Sequence, residues 1–226
     1  MKEYLLDGFK LFVSEVRNRK NPDVELKPFI ASFLKIPEAK IVSYRILQKS
    51  LDARSLRSMH FLYRLALNLD TTEVPAALTE FRNDEPYIQP ENLTKIKNPL
   101  VLGTGPAGLM AALILAEAGA NPMIFDRGFD VETREKDIDR LYQQRILNSE
   151  SNFLFGEGGA GTYSDGKLYT RIRDPRIKYI LDVFVKGGTS QEISYLKHPH
   201  IGSDILPGMV ASIRKYIESL GGKFFW

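Results

Sequence analysis

The sequence predicts an α/β protein: a small N-terminal β-α-β-β domain followed by the first part of a second domain with a parallel sheet. Two observations lead to this fold class. Short apolar runs alternate with segments whose apolar residues recur at helical spacing. Between residues 100 and 126 a strand, a glycine turn, a helix and a second strand follow one another, which is the order of a parallel β-α-β unit.

The first 85 residues make up the predicted small domain. Its elements are an extended segment over residues 4–13, a helix over 27–36 and two strands over 40–47 and 59–67. Their order indicates a two-layer arrangement, half of a ferredoxin-like fold. A polar, proline-containing stretch over residues 69–97 is typical of a connector, and we assign residues 86–97 as the linker.

The most informative segment is a G-x-G-x-x-G turn formed by Gly103, Gly105 and Gly108. The first glycine permits a sharp turn, the second lets backbone approach a pyrophosphate, and the third allows close helix packing. Pro106 suits the first turn of the following helix, whose N-terminus attracts phosphate. Asp126 lies 23 residues after Gly103, close to the offset of about 20 for an acid that binds ribose hydroxyls. The pattern predicts a dinucleotide site.

Two stretches carry a resemblance to a known family. The GTGPAG turn, with its Pro106-Ala107 pair and a following Asp126-Arg127-Gly128, resembles the FAD-binding fingerprint of two-dinucleotide-fold flavoproteins. Residues 151–170 and 197–204 resemble the poorly characterised bacterial FAD-dependent, or NAD(FAD)-utilising, dehydrogenases. The resemblance implies that residues 98–226 are the N-terminal portion of a Rossmann-type FAD-binding domain, truncated at Trp226. In these flavoproteins the second strand typically ends in Glu, where this chain has Asp126.

A second glycine-rich segment adds candidate cofactor contacts. Five glycines between Gly156 and Gly166 predict a loop that lets backbone come close to a ligand, and a flexible surface loop is the alternative. Its hydroxyls and one lysine suit a phosphate or a flavin edge. Together with the first turn, the predicted cofactor-binding residues are Gly103, Gly105, Pro106, Ala107, Gly108, Asp126, Arg127, Gly158, Gly159, Ala160, Gly161, Thr162, Ser164 and Lys167.

The catalytic residues are not apparent in the sequence. His198 and His200 are candidates for proton transfer beside a flavin, and structural hydrogen bonding is an equally good interpretation. The chain has no cysteine and three histidines, so we expect no metal site. The absence of cysteine also excludes a redox-active dithiol within this chain.

These observations favour an FAD-dependent oxidoreductase that passes hydride between an unknown substrate and flavin, with NAD(P)H as a candidate electron donor. One alternative is an NAD(P)-binding dehydrogenase. Another is a non-enzymatic FAD-binding protein whose N-terminal domain binds RNA or a partner. That alternative depends on basic residues near aromatic ones, namely Arg45, Lys49, Arg54, Arg57 and Arg64 beside Tyr44, Phe61 and Tyr63. The alternating aromatics are typical of a core, so nucleic-acid binding is not expected.

The remaining segments complete the expected second domain. Charged residues over 131–148, including Arg134, predict a helix with a solvated face. Further predicted elements are helices over 175–186 and 204–220 and a strand over 223–226. The net charge is +3, and the sequence has neither a signal pattern nor an apolar run of membrane-spanning length. We therefore expect no membrane association and a cytoplasmic location.

Overall fold

The computed structural model describes residues 2–17, 23, 25–83, 85–170 and 172–226. It contains one antiparallel and one parallel sheet together with helices, so the expected mixed α/β class is confirmed. The chain divides into two compact units. Unit 1 comprises Met1–Glu85 and Tyr195–His198, and unit 2 comprises Pro86–Ser194 and Pro199–Trp226.

Unit 1 is built on a four-stranded antiparallel sheet. Its elements are β1 (Glu3–Phe12), α1 (Val13–Val16), α2 (Lys27–Leu34), β2 (Ile41–Asp52), β3 (His60–Leu69) and β4 (Leu78–Glu80). The strand order is β2-β3-β1-β4, with antiparallel pairing between neighbours. Strand β3 therefore lies between β1 and β2, which makes β1-α2-β2 a split β-α-β unit.

Helix α2 is positioned by its ends and by its apolar side. Proline occupies its first turn, and Lys35 ends it in a left-handed conformation with φ of 55°. Ile30 and Leu34 pack in one core with Tyr63 and other apolar side chains of β1 and β3. In β3, Tyr63 and Leu65 are buried and the residues on either side of Tyr63 are exposed, which agrees with the apolar alternation from which the strand was predicted.

Unit 1 differs from the prediction in three features. Strand β2, expected to end at residue 47, continues to Asp52. The stretch expected to be a connector over residues 69–97 contains β4, which pairs with β1 through Leu5 and Thr79. Three strand residues within a polar stretch are too few to give a period. The segment 195–198 joins unit 1 because it pairs in parallel with the edge of β2: the Lys49 amide donates to Tyr195 (2.8 Å) and the Lys197 amide donates to Lys49 (2.9 Å).

Unit 2 is built on a three-stranded parallel sheet. Its elements are β5 (Leu100–Leu102), α3 (Pro106–Glu117), β6 (Met123–Phe125), α4 (Val131–Gln144), α5 (Arg176–Lys186), α6 (Leu206–Ser219) and β7 (Lys223–Phe225). The strand order is β5-β6-β7. The side chains of Val101, Ile124 and Phe224 lie in register across the three strands, within one core that includes α3 and α6 residues.

Helices α3, α5 and α6 end within two residues of a glycine, whereas α4 ends without one. Helix α4 was expected to reach residue 148 but ends at Gln144, since Arg145 adopts a left-handed conformation with φ of 59°. Within the described part of the chain, no helix combines the length and the apolar character needed to cross a membrane.

Candidate functional site

The glycine turn after β5 brings strand and helix into very close contact. Gly103 has φ of +90°, and its amide donates to the carbonyl of Phe125 on the neighbouring strand (2.7 Å). A Cβ on Gly108 would lie 1.9 Å from the Gly103 carbonyl oxygen. Only glycine therefore fits at residue 108 without a shift of the backbone.

The second glycine faces open space. Gly105 is the N-cap of α3, and a Cβ built on it would meet nothing within 4 Å. The first amides of a helix have no partner within the helix, and the helix dipole makes this end positive. An anion can therefore approach the turn at Gly105 along its backbone.

Asp126, directly after β6, is hydrogen-bonded to the same turn. Its Oδ2 accepts from the amide (2.7 Å) and hydroxyl (2.6 Å) of Thr104, and its Oδ1 accepts from the amide of Gly128 (2.9 Å). Burial would raise the pKa of this carboxyl, but these hydrogen bonds outweigh burial and hold the pKa below its ordinary value. A carboxylate has about four acceptor positions, so Oδ1 keeps one for a ligand hydroxyl.

The second glycine-rich segment packs directly on the turn. The Gly158 amide donates to the carbonyl of Thr104 (2.8 Å), and a Cβ on Gly159 would lie 3.5 Å from the Gly105 Cα. Gly128 and Gly156 also touch, because a Cβ on Gly128 would meet the Gly156 backbone. The two glycine-rich segments, far apart in sequence, thus pack against each other and line one site.

The two segments line an open cavity of about 500 Å³, within the range of about 300–1,000 Å³ typical of small-molecule sites. Its lining residues are Leu102, Gly103, Gly105, Phe125, Asp126, Arg127, Leu154, Phe155, Gly156 and Gly159. Five of these are among the residues predicted from the sequence: Gly103, Gly105, Asp126, Arg127 and Gly159. The cavity therefore combines a positive helix end, one acid and apolar walls.

Arg127 has two partners at the cavity wall. Its guanidinium lies over the Phe155 ring, 4.0 Å from the ring centroid, and its Nε is 3.0 Å from Glu150. The stacked pair presents a flat surface suited to an aromatic ring.

The other predicted cofactor residues lie near or away from the cavity. Pro106 is close to Gly159, and Thr162 is buried, donating its hydroxyl to the Glu157 carbonyl (3.0 Å). Ser164 donates to Gly161 (2.8 Å), and Lys167 pairs with Asp165 (2.6 Å) at the surface. Besides Pro106 and Arg127, the exposed residues of the predicted set are Ala107, Ala160, Gly161, Ser164 and Lys167. The structure does not bring this last group to the cavity lining.

The two candidate histidines belong to different units. His198 lies in unit 1 and His200 in unit 2, and both are exposed. His200 forms an antiparallel bridge with Lys167. Neither histidine lines the cavity of unit 2.

A buried charged network behind the cavity was missed from the sequence. Glu157 is completely buried, and its carboxylate accepts from the Val131 amide (2.8 Å) and from Arg214 Nε (2.9 Å). Burial raises the pKa of Glu157, against the opposing effect of these two donors. The expectation that Arg134 lies on a solvated face was wrong, since Arg134 is 0% exposed. Charge spacing alone could not identify it, because its partners are backbone carbonyls.

The basic residues of unit 1 are largely paired. Lys49 Nζ is 2.7 Å from Asp23, and Tyr63 also donates to Asp23 (2.7 Å). Arginines 45, 54 and 64 lie within 4 Å of the carboxylates of residues 3, 52 and 7, respectively. The predicted aromatic Tyr63 is a core residue. This pairing lowers the positive potential that nucleic-acid binding would need.

Fold and site together define an α/β protein with a glycine-walled cavity at a helix N-terminus. Residues 16–68, in unit 1, match a family described as a domain of unknown function, DUF8436. The chain is 36% identical over 207 residues to an uncharacterized protein of Clostridium beijerinckii, an alignment that covers 88% of this chain. The alignment covers 38% of that relative, so the chain spans about two-fifths of its length.

Proposed function

We propose that unit 2 binds the ADP half of FAD and that this chain is the nucleotide-binding part of an FAD-dependent oxidoreductase. The observation that carries the proposal is the cavity in which Gly103, Gly105 and Asp126 meet Gly159 at the N-terminus of α3. Bound FAD would supply a two-electron carrier able to accept or donate hydride.

The residues of the cavity fit this ligand by their chemistry. The open side of Gly105 admits a pyrophosphate, which the α3 N-terminus attracts. The free acceptor position on Asp126 suits a ribose hydroxyl. The Arg127–Phe155 stack offers a flat surface for the base.

NAD is the second candidate ligand, because the same turn and acid serve nicotinamide dinucleotides. The carboxylate of Asp126 disfavours the extra phosphate of NADP by charge repulsion, while Arg127 opposes that effect. A visible absorption spectrum separates the two classes, since bound flavin is yellow and bound nicotinamide is colourless.

Gly105→Ala tests the proposed site, because the added methyl group has room in the protein but projects where pyrophosphate would approach. We expect FAD affinity to fall by about tenfold or more, or ~1.4 kcal/mol, measured by titration calorimetry on the 226-residue chain. The thermal midpoint should change little. Gly208→Ala is the matched control: it is exposed on α6, its Cβ also meets nothing within 4 Å, and FAD affinity should stay unchanged.

Three results would contradict the proposal. Wild-type protein that binds neither FAD nor ADP contradicts a nucleotide site. Gly105→Ala protein with wild-type FAD affinity contradicts the placement of the pyrophosphate. Binding of NAD more tightly than FAD favours the dehydrogenase alternative. A visible absorption spectrum of the longer Clostridium relative extends the test to a protein that has further residues beyond the aligned region.

A further inference from the structure

Arg134 is a buried cation without a carboxylate hydrogen-bonded to it among the described residues. It lies in the first turn of α4, and its side chain is 0% exposed. Its Nε donates to the carbonyl of Asn152 (2.8 Å) and its Nη1 donates to the carbonyl of Glu157 (2.5 Å). One guanidinium therefore holds both ends of the segment 152–157.

This segment forms one wall of the cavity in unit 2. Leu154, Phe155 and Gly156 line that cavity, and they lie between the two carbonyls that Arg134 binds. The arginine side chain passes immediately behind the wall, since a Cβ on Gly156 would lie 2.8 Å from Arg134 Cδ. The shape of this wall thus depends directly on the two hydrogen bonds that the Arg134 guanidinium donates.

The position of this cation is energetically unfavourable for folding alone. Burial lowers the pKa of Arg134, and a positive charge near a helix N-terminus opposes the helix dipole. Its Nη2 has no hydrogen-bond partner among the described residues. The charged and aromatic groups around it are Asp126, Glu157 and the Tyr163 ring, 4.8 Å from the guanidinium carbon. An anionic ligand in the adjacent cavity would offset part of this cost.

We infer that Arg134 is a positioning residue of the dinucleotide site, an inference that rests on the proposed function. Arg134 shapes the 154–156 wall through two backbone carbonyls and adds a buried positive charge behind it. It does not line the cavity itself. Its effect on a dinucleotide is therefore exerted through the wall and through the electrostatic potential.

The experiment compares Arg134→Lys and Arg134→Ala with wild type in the 226-residue chain, using FAD and ADP as probes. Lysine keeps the charge but cannot bind two carbonyls as a rigid fork does. We expect FAD and ADP affinity to fall about tenfold for Arg134→Lys and further for Arg134→Ala, where tenfold corresponds to ~1.4 kcal/mol. Arg140→Met, exposed on the same helix, is the control for charge removal and should bind FAD as wild type does.

Chemical rescue separates positioning from a merely structural role. Methylguanidinium at millimolar concentration should restore FAD affinity in Arg134→Ala by refilling the guanidinium position. The inference would be overturned if the variants lose FAD affinity only in proportion to their fall in thermal midpoint and methylguanidinium does not restore it. Arg134→Lys carries the comparison if the alanine variant does not fold. If the folded variants bind FAD as tightly as the wild-type protein does, the inference about Arg134 is overturned but the proposed function is not. If the wild-type protein binds neither FAD nor ADP, the proposed function is overturned.

Discussion

At the scale of single residues, the site depends on backbone groups that side chains hold in place. Thr104 is completely buried, and its amide and hydroxyl both donate to Asp126 while its carbonyl accepts from Gly158. One residue at a variable position of the glycine motif thus connects the turn, the acid and the second glycine-rich segment. The motif predicted the glycines and the acid, but it carries no information about Thr104.

Asp126→Asn should destabilise unit 2 in a pH-dependent manner. The amide has a single oxygen, so it cannot accept from Thr104 and Gly128 on opposite sides as the carboxylate does. We expect a loss of about 1–3 kcal/mol in the free energy of unfolding at neutral pH, measured by urea denaturation. FAD affinity should fall as well, because the acceptor position proposed for a ribose hydroxyl is altered.

The sign of the pH dependence follows from the lowered pKa of Asp126. The folded protein holds the charged form more strongly than the unfolded chain does. The carboxylate therefore stabilises the fold above its ordinary pKa of 3.8, and this contribution is lost as pH falls through the lower folded pKa. The difference between wild type and Asp126→Asn should narrow over that acidic range. Asp139→Asn, exposed on α4, is the control, and a difference that stays constant with pH would contradict this account.

At the scale of elements, the spacing of apolar residues and the positions of turn residues were sufficient to predict most helices and strands. Strands β5 and β6 were predicted in their observed order within residues 100–126, because short apolar runs between turn residues leave few alternatives. Strand β4 was missed, since only Leu78 of its three residues is buried. Arg134 was misplaced because sequence spacing cannot distinguish a solvated arginine from one that binds backbone carbonyls inside the fold.

Asp130→Ala should weaken helix α4 at its first turn. Asp130 is the N-cap, and its Oδ1 accepts from the Thr133 amide (2.7 Å). Loss of such a cap costs about 1 kcal/mol, which thermal unfolding of unit 2 would detect. FAD affinity should also decrease, since Arg134 lies in the same turn. Asp130→Ser keeps a capping oxygen and should retain most of the stability; equal losses in both variants would contradict the role of the cap.

At the scale of the whole molecule, the residues that the structure describes form two separate apolar cores. One lies in unit 1 and the other in unit 2. The sequence placed a connector before residue 98, but it gave no indication that Tyr195–His198 group with unit 1. That grouping depends on an edge pairing with Lys49 that is distant in sequence. Because such a pairing uses backbone groups, the side chains of residues 195–198 show no apolar periodicity from which the pairing could be predicted.

Lys49→Met provides a test of this two-core organisation. Lys49 is buried in unit 1 with its amine 2.7 Å from Asp23, and the Tyr195 hydroxyl also donates to Asp23 (3.0 Å). Removing the lysine leaves a buried carboxylate without its cation, which typically costs about 3–5 kcal/mol. We expect calorimetry to resolve two thermal transitions and Lys49→Met to lower only that of unit 1.

FAD and a double variant complete this test. Because a ligand stabilises the unit that binds it, FAD should raise only the transition temperature of unit 2. The increase should be equal in wild type and Lys49→Met. Asp23→Asn combined with Lys49→Met removes both charges, so it should recover part of the lost stability of unit 1. A single transition that shifts with both Lys49→Met and FAD would show that the two cores unfold together. In that case the stability of the proposed nucleotide site would depend on an ion pair outside its own core.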